Sequence, residues 1–202
     1  MKRFILCSIL LVLVTSCRLF NSHHNPFIED FPNKIGDSWT YDYVDFQGNN
    51  HILRVMIVGQ DKLPDGHMAK IWEYRYPNYT DSLWVMSNDT VAKFYNKPCC
   101  TTMPPMRLRL VLPLQAGNSW HSDVPYGDTT KVLKQTSVSV PAGTFKDTYE
   151  IAKTVGYVTN SWTNDTLWYK NKVGLVKKIQ GEYSLGNLPG NGTWKLRSYS
   201  VH

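Results

Sequence analysis

The sequence predicts an all-β protein, built as an antiparallel, strongly curved sheet or as a two-sheet sandwich. Three observations indicate this class. After Asn25, short runs rich in β-branched and aromatic residues follow one another, separated by Gly, Pro, Asn and Asp. Helical periodicity is absent from this region, and parallel strands would need crossover helices to connect them. Several runs alternate between apolar and polar residues, which is typical of strands with one buried face.

Ten strands are predicted from these runs. In the first, Trp39, Tyr41 and Tyr43 alternate with polar residues, and in the third Trp72 and Tyr74 share one face. The pair Asn88-Asp89 lies between the fourth and fifth runs, where it predicts a tight hairpin turn. The predicted strands cover residues 38–46, 52–58, 68–76, 82–87, 90–95, 131–140, 147–157, 166–170, 175–180 and 193–201.

Three segments of the chain occur twice, in the same order. Residues 31–39 (FPNKIGDSW) are echoed by residues 112–120 (LPLQAGNSW), 64–68 (PDGHM) by 141–145 (PAGTF), and 81–84 (DSLW) by 165–168 (DTLW). The offsets of 81, 77 and 84 residues differ by amounts that loop insertions produce. We therefore predict a single β domain, residues 31–202, made of two duplicated halves of about five strands each, at about 31–107 and 108–202.

The N-terminus has the pattern of a lipoprotein signal peptide. Positive charge at Lys2 and Arg3 precedes an apolar run over residues 4–14, and Thr15-Ser16 lie directly before Cys17. Eleven apolar residues are too few for a membrane-spanning helix, which needs about 20. We predict that residues 1–16 are removed, that Cys17 is acylated, and that residues 17–30 form a tether. An ordinary signal peptide with an incidental cysteine, or an uncleaved anchor, is the alternative.

The residue after Cys17 indicates which membrane of the cell envelope the protein is anchored in. Arg18 stands there, and by resemblance to Gram-negative lipoproteins the lack of Asp at this position predicts the outer membrane. A lipoprotein cysteine carries three acyl chains, and two or more chains hold a protein stably to a bilayer. The formal net charge of +6 comes without a basic cluster, so no nucleic-acid partner is predicted.

Residues 35–39 (IGDSW) resemble the nucleophile block of one family of esterases and lipases, which makes Ser38 a candidate nucleophile. The pattern Gly-x-Ser-Trp returns at residues 117–120, again after Pro at the same spacing. A turn followed by a core tryptophan explains both copies, whereas a nucleophile explains one. That family also carries Asp-x-x-His near its C-terminus, and His202 has no Asp three residues before it. We predict no catalytic residues and no enzyme activity.

Soft metal ligands occur together at Cys99, Cys100, Met103 and Met106, which suit Cu(I). Packing, or a strained bridge between the adjacent cysteines, explains them without a metal and is the preferred interpretation. The pair His23-His24 is interpreted as solvated. No metal or cofactor is predicted. The carboxylates Glu73, Asp81, Asp89, Asp147, Glu150 and Asp165 are interpreted as scattered turn and strand residues.

Four triplets place Asp before Ser or Thr and then an apolar or small residue. They lie at residues 81–83, 89–91, 128–130 and 165–167. The pattern resembles the acceptor used for O-glycosylation of envelope proteins in some Gram-negative lineages. Junctions between turns and strands produce the same pattern, so both interpretations stay open.

The acylation signal, residues 140–145 (VPAGTF), Trp168-Tyr169 and residues 173–177 (VGLVK) together resemble a group of bacterial envelope lipoproteins with a Val-Pro-Ala-Gly-Thr-Phe hairpin. Related families are similar to the LolA-like periplasmic half-barrels, whose curved sheet can hold lipid. The resemblance covers roughly residues 31–179 and implies fold and location, with no catalytic residues.

Two functions are predicted from these features. The first is a lipid-anchored binding or accessory module of the cell envelope, whose partner is an envelope protein, a glycan or a lipid. The alternative is a carrier or sensor of an apolar, lipid-like ligand inside a curved sheet. An apolar concavity that side chains leave unfilled would favour the alternative.

Overall fold

The computed structural model describes residues 31–98, 102–121, 128–156, 162–180 and 192–202, without the side chains of residues 155, 156, 162 and 163. The predicted signal peptide, the tether, Cys17 and the pairs Cys99-Cys100 and His23-His24 lie outside these ranges. Within them, no helix has the length and apolar character needed to cross a membrane.

Twelve strands make up the described chain. In chain order they are β1 (Ser38–Val44), β2 (Asn50–Lys62), β3 (Met68–Arg75), β4 (Thr80–Ser87), β5 (Val91–Asn96), β6 (Met106–Val111), β7 (Ser119–His121), β8 (Thr129–Val140), β9 (Gly143–Gly156), β10 (Trp162–Lys170), β11 (Gly174–Gln180) and β12 (Thr193–Ser200).

All twelve strands form one antiparallel sheet in the order β6-β5-β4-β3-β2-β1-β12-β11-β10-β9-β8-β7. Two six-strand meanders thus lie side by side and join where β1 pairs with β12. The sheet curves so strongly that its two edge strands, β6 and β7, come into contact. Trp120 Nε1 on β7 donates a hydrogen bond to Arg109 O on β6 at 2.8 Å. The predicted all-β class with a curved antiparallel sheet is confirmed.

The ten predicted strands are all present, and the two that were missed are the edge strands. Within the described residues each half therefore has six strands, where about five were predicted. Strand β7 is only three residues long, which is too short for a periodic signal. Strand β6 alternates between polar and apolar residues, and it continues across the predicted division at residue 107. By strand order the first half ends after Val111.

The two halves have the same pairing register. In the first half Ile57 lies opposite Trp72, and Trp72 lies opposite Leu83. In the second half the corresponding row is Val132, Ile151 and Leu167. A bulge follows Ile57 on β2, and another follows Val132 on β8. A shift by one residue would move every side chain to the opposite face, so matched registers mean that both halves keep the same inward positions.

The two Gly-x-Ser-Trp segments adopt the same turn. Gly36 and Gly117 have φ angles of 99° and 91°, which a residue with a side chain rarely adopts. Gly36 N donates to Ile57 O at 2.9 Å, and Gly117 N donates to Val132 O at 2.8 Å. The turn therefore fixes the start of β1 and β7 against the neighbouring strand in each half.

Aromatic side chains fill the interior at the end of the sheet where β1 begins and β12 ends, which we call the cleft end. Trp39 and Trp72 stack with ring centroids 4.9 Å apart, and Phe31 lies 6.1 Å from Phe94 and 6.4 Å from Tyr169. Residues from both halves thus share one core. Trp39 is 2% exposed, but Trp120 is only partly buried, so the expected burial of both holds for Trp39 alone.

Candidate binding site

The residues of the esterase-like block have structural partners. Asp37 is fully buried, and its Oδ2 accepts a hydrogen bond from Lys34 N at 2.9 Å. Its Oδ1 accepts one from His202 N at 3.0 Å and lies 3.3 Å from His202 Nδ1. Ser38 pairs with Ser200 across β1 and β12, and no hydrogen bond joins it to His202 in the part of the chain that the structure describes. Asp37 thus ties the start of β1 to the residues after β12.

At the other end of the sheet, where β1 ends and β12 begins, the interior is polar. We call this the polar end. Directly opposed residues on four neighbouring strands form a row there, which we call the polar row. Its members are Thr130 on β8, Lys153 on β9, Asp165 on β10 and Gln180 on β11. Opposed side chains in a sheet have Cβ atoms about 4.5–5.5 Å apart. The next inward row, Val132, Ile151 and Leu167, belongs to the core.

Lys153 connects the polar row to Asp128 and to the edge of the sheet. Its Nζ lies 3.3 Å from Asp128 Oδ2, and the exposed fractions of the two side chains are 11% and 3%. The same Nζ donates to Arg107 O on β6 at 2.6 Å. A buried ion pair needs such additional hydrogen bonds to offset its desolvation. Lys153 thereby holds the last strand of the first half against the second half.

Four buried oxygen atoms at the polar end lack a hydrogen-bond partner among the described residues. They are Asp128 Oδ1, Thr130 Oγ1, Asp165 Oδ1 and Gln180 Oε1. Buried polar atoms in native proteins are almost always hydrogen-bonded, and leaving one unpaired costs about 1–3 kcal/mol. Three of the four atoms can only accept. The site therefore favours a molecule that presents several N–H or O–H donors.

Burial shifts the ionisation of the charged groups here. It raises the pKa of Asp165 above its ordinary value, and the charges of Lys178 and Lys153 partly oppose that rise. Burial also lowers the pKa of Lys178, which Asp165 partly opposes. Lys178 Nζ lies 4.6 Å from the ring centroid of Trp194, within the range of a cation–π contact. Shifted pKa values next to unpaired groups are typical of functional sites.

Aromatic rings form the opposite side of the polar end, which we call the aromatic wall. Its members are Tyr43, Tyr74, Tyr76, Tyr79 and Trp194. Tyr76 and Tyr79 stack with centroids 4.3 Å apart, and Tyr79 is 36% exposed. Burial raises the pKa of Tyr79 to about 12. Burial also raises the pKa of Tyr74 and Tyr76. The hydroxyls of Tyr74, Tyr76 and Tyr79 are therefore protonated at neutral pH and can donate as well as accept hydrogen bonds.

One side of the site is aromatic and the other charged, although the two halves have the same register. Matched register places Tyr74 of the first half where Lys153 stands in the second. Asp81 and Asp165 occupy equivalent positions, opposite these two residues. Asp81 Oδ2 lies 3.4 Å from Arg107 Nη1, so the first half keeps the carboxylate but pairs it with a residue of the edge strand.

This convergence is not visible in the local sequence pattern. Asp81 and Asp165 were interpreted as scattered turn and strand residues, Asp128 only as part of an Asp-Thr-Thr triplet, and no motif singled out Lys153 or Arg107. The repeat itself contained a usable signal, because Asp81 and Asp165 begin its third matched segment. Three of the four Asp-Ser/Thr triplets, those that begin at residues 81, 128 and 165, place their aspartates at the polar end. In the described ranges, no group of three or more His, Cys, Asp or Glu side chains is arranged to hold a metal ion.

Comparison with known proteins yields no matching family model, no similar curated protein and no similar solved structure. The resemblance to LolA-like lipoproteins stays a prediction. The segment on which it partly depends does form a hairpin, because Val140 pairs with Gly143 across Pro141-Ala142.

Replacing Asp165 with Asn should change stability in a pH-dependent way. The raised pKa of Asp165 means that the folded state binds a proton more tightly than the unfolded chain, so this stabilisation is present below the ordinary value of 3.8 and is lost as pH rises through the raised pKa. The free energy of unfolding of the wild type minus that of Asp165→Asn should therefore fall with rising pH, by at most about 1.4 kcal/mol per pH unit. Denaturant titrations at several pH values measure it. A difference that grows with pH would contradict the burial of this carboxyl.

Proposed function

We propose that this protein is a lipid-anchored module of the outer membrane that binds a neutral glycan of the cell envelope at its polar end, without catalysis. The observation that carries the proposal is the set of four buried oxygens, on the polar row and Asp128, that have no hydrogen-bond partner among the described residues. Sugar hydroxyls are donors of the kind that these acceptors lack.

The charge balance supports a neutral ligand. Among the described residues, three acidic side chains accompany the polar row, Asp81, Asp128 and Asp165, and three basic ones balance them, Arg107, Lys153 and Lys178. A charged ligand would add a charge that no side chain of opposite sign is left to pair with, and an unpaired charge in a partly buried site is costly. A polyhydroxylated ligand adds hydrogen bonds and no net charge.

The aromatic wall supports the same class. Tyr79 presents part of its ring to solvent and stacks on Tyr76. Binding pockets commonly combine aromatic surfaces with a few convergent polar groups, which fix the orientation of the ligand. The apolar C–H face of a sugar ring would pack on Tyr79 while its hydroxyls reach the polar row.

The packing of the cleft end favours this proposal over a carrier of apolar ligands. Phe31, Trp39, Trp72, Phe94 and Tyr169 fill the described interior with contacting rings. An acyl chain would have to displace them, at a cost comparable to that of opening a core.

Titration of the acylated protein in detergent with neutral oligosaccharides tests the proposal, using N-acetylglucosamine oligomers and maltooligosaccharides. We expect saturable binding by at least one class and about 10–100-fold weaker binding for Asp165→Asn, since a hydrogen bond to a charged group contributes about 1.5–3 kcal/mol. The control is Asp61→Asn, because Asp61 is an exposed carboxylate on β2, near the cleft end. Absence of saccharide binding, or equal affinity in Asp165→Asn and wild type, would refute the proposal.

A further inference from the structure

Lys177 and Lys178 are neighbours on β11 that contact tryptophans on opposite faces of the sheet. Lys177 Nζ lies 4.6 Å from the ring centroid of Trp168, and Lys178 Nζ lies 4.6 Å from that of Trp194. Lys178 is paired with Leu167 and Trp194, which belong to the core, so its side chain points into the interior. Successive side chains of a strand point to opposite faces, so Lys177 points outward. The two lysines therefore differ in their surroundings and share the same kind of ring contact.

The ammonium group of Lys178 lacks the partners that hold the other interior lysine of the site. Lys153 Nζ lies 3.3 Å from Asp128 Oδ2 and donates a hydrogen bond to Arg107 O. Within the described ranges, no hydrogen bond or salt bridge joins Lys178 Nζ to another residue. An ammonium group has three N–H donors, and its burial without acceptors favours the neutral amine.

The charges near Lys178 support the same form. Burial lowers the pKa of Lys178, Asp165 opposes this decrease, and the charges of Lys153 and Arg107 add to it. A desolvated lysine beside other cations is a common form of nucleophilic amine. Burial also raises the pKa of Asp165. A neutral Lys178 beside a protonated Asp165 leaves the charge balance of the polar end unchanged, because one positive and one negative charge are lost together.

Lys178 lies close to two of the oxygens that have no partner among the described residues. Gln180 is two residues further along β11, on the same face, and Asp165 lies opposite Gln180 and diagonally across from Lys178. Long side chains reach such diagonal neighbours. The side chain of Lys178 is only partly buried, so a small molecule at the polar end can contact its Nζ. A ligand that suits these groups has hydroxyls for the oxygens and a carbonyl for the amine.

We propose that Lys178 forms an imine with the aldehyde of an open-chain reducing sugar at the polar end. The neutral amine nitrogen attacks the carbonyl carbon, and one N–H proton moves to the carbonyl oxygen to give a hydroxyl group. That hydroxyl leaves as water with the second N–H proton, and a C=N double bond remains. No oxidant or reductant is needed, and the reverse reaction with water releases the sugar. This inference deepens the proposed function, because the sugar class rests on it.

Reductive trapping tests the imine on the acylated protein in detergent. Glyceraldehyde and cyanoborohydride are added at neutral pH, and the reductant fixes an imine as a secondary amine. Fragment masses of the peptide that contains both lysines then compare them within one chain. We expect Lys178 to be modified at least about tenfold faster than Lys177, because only the neutral amine attacks and its fraction rises tenfold for each unit by which the pKa falls. Lys177→Arg should keep the modification at Lys178, and Lys178→Arg should lose it.

Propanal is the matched probe, because it is an aldehyde of the same chain length without hydroxyl groups. The ratio of Lys178 to Lys177 modification should be about fivefold higher with glyceraldehyde, since one net hydrogen bond changes binding by about that factor. Modification of Lys178 no faster than that of Lys177 would overturn the imine. Equal ratios for the two aldehydes would overturn the assignment to a sugar.

Titration of the wild type with maltotriitol separates this inference from the proposed function, because maltotriitol has hydroxyls but no aldehyde. Maltotriitol binding without trapping at Lys178 would overturn the imine and leave the glycan site in place. Selective trapping at Lys178 by a protein that binds no saccharide would overturn the glycan site and leave the reactive amine in place.

Discussion

Replacing Trp39 with Ala should destabilise the protein by about 3–5 kcal/mol, the range found for large core aromatics. Trp39 is 2% exposed and stacks on Trp72. Its Nε1 donates to Val173 O at 2.6 Å, so the side chain also joins the first half of the sheet to the second. Alanine at this position leaves a cavity in the shared core and an unpaired carbonyl. Chemical denaturation followed by circular dichroism measures the loss.

Two comparisons make this result specific. Trp120→Ala should cost about half as much, because Trp120 is only partly buried and a smaller apolar area leaves water. Ser38→Ala should cost about 0.5 kcal/mol or less, since Ser38 has no packing role of comparable size. A small loss for Trp39→Ala, or a larger loss for Trp120→Ala, would contradict the packing described for the core.

Replacing Cys17 with Ala should release the protein from membranes. Each buried CH₂ of an acyl chain contributes about 0.8 kcal/mol, so removal of three chains abolishes stable anchoring. Fractionation of cells after a wash with about 1 M salt measures the effect, because salt at that level screens headgroup contacts but leaves acyl insertion intact. Wild type should remain in the washed membranes, and Cys17→Ala should be in the supernatant.

Intact-mass analysis of the wild type completes this test. The mature chain should begin at Cys17 and carry three acyl chains. Retention of Cys17→Ala in salt-washed membranes, or a wild-type mass that still includes residues 1–16, would mean that something other than acylation holds the protein in the membrane.

Local pattern was enough to predict the strands in the middle of the sheet. Runs such as Met68–Arg75, with one face aromatic, carry the period of two that burial of one face produces. The edge strand β7 is positioned by contacts that leave no periodic pattern in the sequence. Strand β7 has three residues and is positioned by the Gly117 turn and by Trp120, and neither produces a run that periodicity can detect.

The repeat predicted the long-range organisation, because it matched tryptophans and turns across 77–84 residues. It could not show where the duplicated positions meet. Asp81 and Asp165 lie at the same end of one interior because β1 pairs with β12 and the sheet curves until β6 reaches the second half. Lys153 reaches Arg107 O across 46 residues, and no local signal encodes that contact. Acylation of Cys17 is predicted from the sequence alone, because Cys17 lies outside the described residues.

Native mass spectrometry of the protein extracted from its own host tests saccharide binding at the polar end most directly. Gentle detergent should release a triacylated chain that retains a neutral saccharide, and the Asp165→Asn protein from the same host should lose the saccharide while keeping its acyl chains. A wild-type protein that carries no saccharide, or that carries an apolar lipid which Asp165→Asn also retains, would contradict the proposal.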